Sequence, residues 1–549
     1  MMNKKSVYAC KQKKDHEQFK AQIGRGAKIF FLPLLFLLMN FVFVPSSLYA
    51  QAYEGYTLFS PNNSRNTYLI NMSNQVVHSW SHTKTGGYSC YLLEDGTLLR
   101  SAASSNSQLN GGGAAGIVQK VDWGGNVIWE YTYSSSTYRS HHDIEPMPNG
   151  NVLLIAWEVK TAVQAVQTGL NHSAVIWPDH IIEVEPVGTN SGNIVWQWHA
   201  WDHLVQDYDA AKNNYGVVAD HPELLDINMG GTQIGDWMHI NGISYNVDLD
   251  QIVISSHFLD EIYVIDHSTT TAEAAAHSGG RSGKGGDILY RWGNPANYNA
   301  PGSQVFNVVH SSIWIPNGFP GSGNILAFNN REGQGTSIVV EIVPPVDGSG
   351  SYTISAGSAF GPTLPTWSYT ASGFYSNHLG GCQRLSNGNT LIVESTSGYL
   401  FEVDASGNVV WTYNRGGEIA RALRYSTEYI DDITDVEENE ELPSEFKLSQ
   451  NYPNPFNPET TIEYVLPEAA NVTLKVFDVL GREVTTLVNE YKQAGIHYST
   501  FSASQNKGGQ VLHSALSSGV YFYTLRVRDS SPGKSGSELQ KTKKMILAK

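Results

Sequence analysis

At 549 residues the chain is long enough for more than one domain, and 41% hydrophobic content can fill a large core. A formal net charge of −16 argues against a nucleic-acid partner, because phosphate binding needs a basic face. Only 3 cysteines argue against a disulfide scaffold, while 52 Gly, 29 Tyr and 13 Trp beside 16% charged residues favour short strands and tight turns over helices.

Residues 1–28 are basic, with Lys4, Lys5, Lys11, Lys13, Lys14, Lys20, Arg25 and Lys28. Ile29 to Val44 is almost uninterrupted hydrocarbon, and Ser46-Ser47-Leu48-Tyr49-Ala50 supplies small residues for cleavage. The pattern predicts a secretory signal over 1–50, removed after Ala50 or Ala52, and the mature protein leaves the cytoplasm. The competing reading is an uncleaved anchor, for which the apolar run is short.

From about 53 to 425 two motifs alternate. The first is an apolar alternation ending in a turn such as Asn-Gly, the strongest short hairpin signal. Its copies run Tyr88…Asp95-Gly96, His142…Asn149-Gly150, His239…Asn246, His310…Asn317-Gly318 and Gly380…Asn387-Gly388. The second is a turn, an aliphatic pair and an aromatic residue, ending at Trp80, Trp129, Trp196, Trp292, Trp367 with Tyr369, and Trp411. Two hairpins per unit make a four-stranded sheet, and radial repetition of such sheets predicts an all-β, six-bladed β-propeller over 53–425. The stretch Tyr56 to Trp80 is either a partial blade or the segment that closes the ring. The competing architecture is a two-sheet sandwich.

In a propeller the first strand of each blade lines the central channel. Tyr88, His142, His239 and His310 share one register and are expected to point the same way; His378 falls two residues before Gly380, on the same face. Cys90 and Cys382 occupy equivalent places in two repeats and read as buried free thiols.

The long insertion after Trp198 is expected to carry a helix across one face. His199 and His203, four apart, resemble a zinc pair on one helical turn, but no third ligand is evident, so the segment reads as a loop shaping the pocket. Gly279 to Gly286 lacks the phosphate-loop pattern and reads as a connector.

Several separated segments carry a family resemblance. Asp236-Trp237-Met238-His239-Ile240-Asn241-Gly242, Arg291-Trp292-Gly293-Asn294-Pro295, Gly323-Asn324-Ile325-Leu326-Ala327-Phe328-Asn329-Asn330 and Gln383-Arg384-Leu385-Ser386-Asn387-Gly388-Asn389 are similar to the bacterial aryl-sulfate sulfotransferases. That family consists of secreted six-bladed propellers that move a sulfuryl group between phenols without a nucleotide sulfate donor. The resemblance implies that His310 accepts the sulfuryl group, that His239 and Asn241 form the family's His-x-Asn pair, and that His142 is a further channel histidine. A family arginine on the neighbouring strand is replaced here by His257, and no glutamine precedes His310. Tyr88 and His378 are expected to contact substrate.

The chemistry suits these residues. A neutral imidazole is a good nucleophile and can hold the group as an N-sulfo intermediate, with donors from His142, His239, Asn241 and His257 offsetting the charge on sulfur's oxygens. No cofactor or metal is required. A non-catalytic surface propeller binding a glycan or protein is the alternative. A metal-dependent hydrolase would need carboxylates beside the histidines, and the candidate, Asp143, is expected to face away from His142.

After Tyr429 an acidic run from Asp431 to Glu441 reads as a linker over 426–446. Asn451-Tyr452-Pro453-Asn454-Pro455-Phe456 then opens a small all-β unit. With Leu480-Gly481-Arg482-Glu483-Val484, Ser518-Gly519-Val520-Tyr521-Phe522-Tyr523 and the closing Lys543-Lys544-Met545, residues 447–549 resemble a type IX secretion C-terminal sorting domain of Ig-like β-sandwich form. This implies passage to the periplasm, engagement of the type IX secretion machinery, and export across the outer membrane to the surface or the medium.

Overall fold

The computed structural model describes residues 51–548, apart from 107, 232–234, 431–432, 434–445, 468, 493–494, 504–515 and 529–537. The signal over 1–50 and nearly all of the acidic run therefore lie outside the described residues.

Between Gly55 and Ser426 the chain forms six four-stranded antiparallel sheets. Five are built in chain order, with innermost strands Gly86–Leu92, Tyr138–Pro146, Ile240–Asn246, Val309–Trp314 and Gly381–Arg384. In the sixth, the innermost strand Ile419–Ser426 comes from the far end and pairs with Gly55–Pro61, followed by Asn66–Ile70 and Val76–Ser81. The Tyr56–Trp80 stretch thus supplies the outer three strands of a closing sheet. The second strands are buried along almost their whole length, as in Gln251–Ser256 and Val152–Glu158, because their two faces are both covered by neighbouring sheets. The architecture is all-β and consistent with a propeller.

The aromatic ending of the second motif has a structural cause. Each tryptophan sits on the outermost strand of its sheet and donates its indole N–H to the following sheet. Trp80 reaches Asp122 O at 3.1 Å, Trp129 reaches Ser191 O at 2.7 Å, and Trp196 reaches Thr269 Oγ1 at 3.1 Å. Trp292 reaches Pro362 O at 2.6 Å, Trp367 reaches Ala405 O at 3.3 Å, and Trp411 returns to Met72 O at 3.2 Å. One indole therefore fills the wedge between two sheets and satisfies its polar atom there. The series closes on itself. The innermost strands also pack against one another in cyclic order, from Gly86–Leu92 round to Ile419–Ser426 and back.

The insertion after Trp198 differs from its expected helix. It contains two single 3₁₀ turns, Ala200–Asp202 and Val218–Asp220, and a short parallel pair, Leu204–Val205 with Leu225–Asp226. Thr271–Ala274 is a separate helical turn with a Thr270–Glu273 capping box.

Residues 447–547 form two further sheets, one of Lys447–Leu448, Glu459–Leu466 and Gly495–Ser502, the other of Glu483–Lys492, Ala470–Phe477, Gly519–Arg528 and Glu538–Leu547. They share one core, with Tyr464, Leu474, Phe501 and Tyr523 inside. Among the described residues, no helix is long and apolar enough to cross a membrane.

Candidate active site

The inner strands do not keep simple alternation where they meet at the centre. Between Ser140 and Ile144 the ladder is bulged, and His142 takes φ +49°. A second bulge lies at Asn241, after His239 at φ +54°, and a third follows His310, with Ser311 at φ +53°. Such bulges re-aim side chains that a flat strand would send to opposite faces. The consequence at His142 corrects the expectation for Asp143. Both residues line one central cavity, because the bulge turns Asp143 inward instead of away.

That cavity, about 30 Å³, is bounded by Tyr88, His142, Asn241, His310, Ser311 and Arg421, among others. Around it the imidazoles form a chain of contacts. Ring centroids are 4.6 Å apart for His142 and His239, 5.1 Å for His239 and His257, and 5.7 Å for His257 and His310. Tyr88 stacks on His142 at 5.4 Å. Gly111-Gly112-Gly113 lies directly over this chain, and a Cβ on Gly113, at φ +77°, would sit 2.2 Å from the His142 ring. Only glycine lets the loop come so close.

Hydrogen bonds set the tautomer of His310 and orient the rings of His239 and His142. Asn330 donates through Nδ2 to Ser376 O at 2.8 Å and to Leu379 O at 2.5 Å, so its Oδ1 is the atom 2.7 Å from His310 Nδ1. An amide oxygen only accepts, so His310 carries its hydrogen on Nδ1 and its Nε2 is a free lone pair. His239 donates from Nδ1 to Asp236 Oδ2 in a very short contact, and Trp157 Nε1 donates to the other Asp236 oxygen at 3.0 Å. His142 and His141 share a proton between Nδ1 atoms 2.9 Å apart, and His141 Nε2 lies 2.8 Å from Asp179 Oδ1. Asn241 Nδ2 donates to Val309 O at 2.7 Å, tying the bulge after His239 to the residue before His310, and its Oδ1 accepts from Ser255.

Burial keeps His142, His257 and His310 neutral. Desolvation, then repulsion from neighbouring rings, pushes His142 and His310 well below the usual histidine range. The same causes bring His257 down to about 3. Facing them is one cation. Arg421 Nη1 donates to Asp143 Oδ2 and to the Tyr91 hydroxyl at 2.7 Å, while its Nε is buried with no protein partner. Ser311 Oγ and His257 Nδ1 are likewise buried and unpartnered. Buried polar atoms left unpaired are costly unless a ligand or water pairs with them.

Of the residues singled out from sequence, the structure brings together His142, His239, His257, His310, Asn241 and Tyr88. His378 is apart from the cavity lining, exposed, with its Nε2 3.1 Å from Glu418 Oε1; it precedes its strand and so escapes the register. Arg421, Asn330 and Asp236 were given no role from sequence, and Asp143 was expected to face away. Arg421 sits on Ile419–Ser426, the one inner strand whose hairpin partner lies at the other end of the chain, so no Asn-Gly turn follows to flag it. Cys90 and Cys382 are both free and buried.

The pair His199 and His203 is parted by its 3₁₀ turn. His199 Nδ1 lies 3.0 Å from Glu158 Oε1 and its ring stacks on His180, while His203 turns to Asp287.

No curated protein matches the chain. Among solved structures, a protein of unknown function from Bacteroides caccae is 13% identical, covering 68% of this chain and 98% of that one, with a TM-score of 0.37. Virginiamycin B lyase from Staphylococcus aureus is 9% identical over 66% of this chain and 82% of that one, with a TM-score of 0.32. AztD from Citrobacter koseri is 10% identical over 83% and 100%, with a TM-score of 0.29. Residues 450–546 match the secretion system C-terminal sorting domain, which indicates export to the cell surface or secretion. Residues 71–454 match Arylsulfotransferase (ASST), and the chain belongs to the arylsulfotransferase family.

Proposed function

We propose that the mature protein is a surface-exposed or secreted aryl-sulfate sulfotransferase that carries the sulfuryl group on His310. The observation that carries this reading is the Nδ1 hydrogen of His310, held by Asn330, which leaves a neutral Nε2 lone pair at the cavity.

In the first half-reaction, Nε2 attacks sulfur of a phenolic sulfate ester, the S–N bond forms and the S–O bond to the aryl group breaks. His239, in its imidazolium form with Nδ1–H held by Asp236, gives its Nε2 proton to the departing phenolate. Arg421 Nε, Ser311 Oγ and the second Asn241 N–H are donors for the sulfuryl oxygens, whose negative charge is spread as in phosphoryl transfer. In the second half-reaction an acceptor phenol attacks sulfur, His239 takes its proton, and the S–N bond breaks. His142 stays neutral on the cavity wall, and His257 stays neutral between His239 and His310. Arg421 occupies the role of the missing family arginine, since His257 is held uncharged. Tyr88 stacks at the edge where an aryl ring would enter, and His378 is a mouth residue at most.

The propeller reading with six blades over 53–425 is supported by the six sheets, the cyclic indole series and the closing strand. We assign 1–50 as signal peptide, 426–446 as linker and 447–549 as an Ig-like sorting domain.

The test is nitrophenolate release from 4-nitrophenyl sulfate by the mature chain, with and without phenol, in wild type and His310→Ala. Phenol-dependent release that vanishes in the variant supports the reading. Release unchanged in His310→Ala, or no release across a panel of phenols, overturns it.

A further inference from the structure

Two insertions that take no part in the central cavity meet at a second cluster. His203 comes from the segment after Trp198, and His277 and Asp287 from the segment between strands Glu261–Asp266 and Tyr290–Trp292. We infer that His203, His277 and Asp287 form a binding site for a divalent transition-metal cation of the zinc class.

The argument starts from hydrogen positions. His203 Nε2 lies 2.8 Å from Ala274 O, which only accepts, so that nitrogen carries the hydrogen. Its Nδ1 therefore turns a lone pair toward Asp287 Oδ1, 2.8 Å away. His277 Nδ1 lies 2.7 Å from the same oxygen. A lone pair facing a carboxylate requires something positive between them, an added proton or a cation.

The surroundings favour the cation. Two imidazole nitrogens and a carboxylate oxygen all lie within 4.8 Å of one another, the donor set of an open zinc site. A ligating histidine characteristically donates its far N–H to a carbonyl, as His203 does to Ala274. Its ring is fully buried and lies parallel to Trp198, whose own N–H is anchored on Gly286 O at 2.7 Å. Gly286 is required here, since a Cβ would stand 2.6 Å from His203 Nε2 and 2.0 Å from Ala274 O. The third ligand, His277, is exposed. With Asp287 it borders a cleft of about 560 Å³ that also holds His221 and Glu223, so the remaining coordination positions face solvent. By contrast, the cluster of Glu158, His180 and His199 already has Lys160 Nζ 2.7 Å from its carboxylate, a cation that disfavours a second one.

A metal at this point would bind the two insertions together, so it would be felt as stability as well as occupancy. The test uses the mature chain stripped of metal, titrated with Zn²⁺ by calorimetry and with Co²⁺ by visible absorption. One equivalent is expected, with the intense ligand-field bands of four-coordinate Co²⁺ and a Zn²⁺-dependent rise in Tm. Affinity should fall at least about 10-fold in His277→Ala, an exposed change that leaves the core intact, and likewise in Asp287→Asn. No uptake of either metal by the folded chain would overturn the proposal. So would uptake undiminished in both variants, or uptake lost instead in His199→Ala or His142→Ala.

Discussion

Asn330 Oδ1 accepts the Nδ1 hydrogen of His310 at 2.7 Å, and both Asn330 amide hydrogens are engaged by the carbonyls of Ser376 and Leu379. The amide cannot turn over, so the tautomer of His310 is set by an asparagine anchored on two backbone carbonyls and not by solvent. Asn330→Ala should lower kcat by about 10- to 100-fold with little change in KM, since the ring loses its orientation but the cavity keeps its donors. Steady-state kinetics on a variant with unaltered circular dichroism checks this.

The pH profile follows from the same geometry. Only the neutral imidazole attacks, and burial with neighbouring rings pushes His310 well below its ordinary value. The active form therefore persists as pH falls past the normal histidine range. The acid limb of kcat/KM for 4-nitrophenyl sulfate should lie clearly below pH ~6.5, the free imidazole value. A limb centred at that value would mean an exposed nucleophile.

Arg421 and Asp143 form a buried pair. Arg421→Met alone should destabilise the fold by about 3–5 kcal/mol, because it strands the Asp143 carboxylate. Arg421→Met combined with Asp143→Leu should recover most of that stability, yet remain defective in turnover because the Nε donor is gone. Urea unfolding beside activity assays separates the two effects.

Much of this was legible in the sequence, and the misses have physical causes. The Asn-Gly turns and the spaced tryptophans exposed the sheet repeat, because turn geometry and an indole wedged between sheets are local demands repeated in each unit. The histidines at 142, 239 and 310 were visible because they share one offset from those turns. Strand alternation alone sent Asp143 the wrong way, since a bulge with positive φ at His142 leaves no composition signature. Arg421 stayed hidden because its strand pairs across the whole chain, and Asn330 because its role depends on two carbonyls 46 and 49 residues away. Helical spacing misread His199 and His203, which one 3₁₀ turn sends to different neighbours.

His267 offers a stability test away from the cavity. Burial by itself would lower its pKa, but Asp250 at 2.8 Å and Glu183 at 3.0 Å outweigh it and raise the value to about 9. A raised folded value stabilises fully below the unfolded value near 6.5 and is lost as pH rises through 9. Stability should thus decline between those limits by at most about 3 kcal/mol, and His267→Gln should abolish that decline. Denaturation midpoints measured across the window decide it.

The central claim is that His310 carries the sulfuryl group, and the most direct measurement is to trap it. The mature chain is mixed with 4-nitrophenyl sulfate without acceptor, quenched in base to preserve N-sulfo histidine, digested and analysed by mass spectrometry. The account predicts added mass of one sulfuryl group on the peptide containing His310, cleared by a chase of phenol and absent in His310→Ala. Turnover with no modified peptide, or modification on His239 or His142 instead, would contradict it.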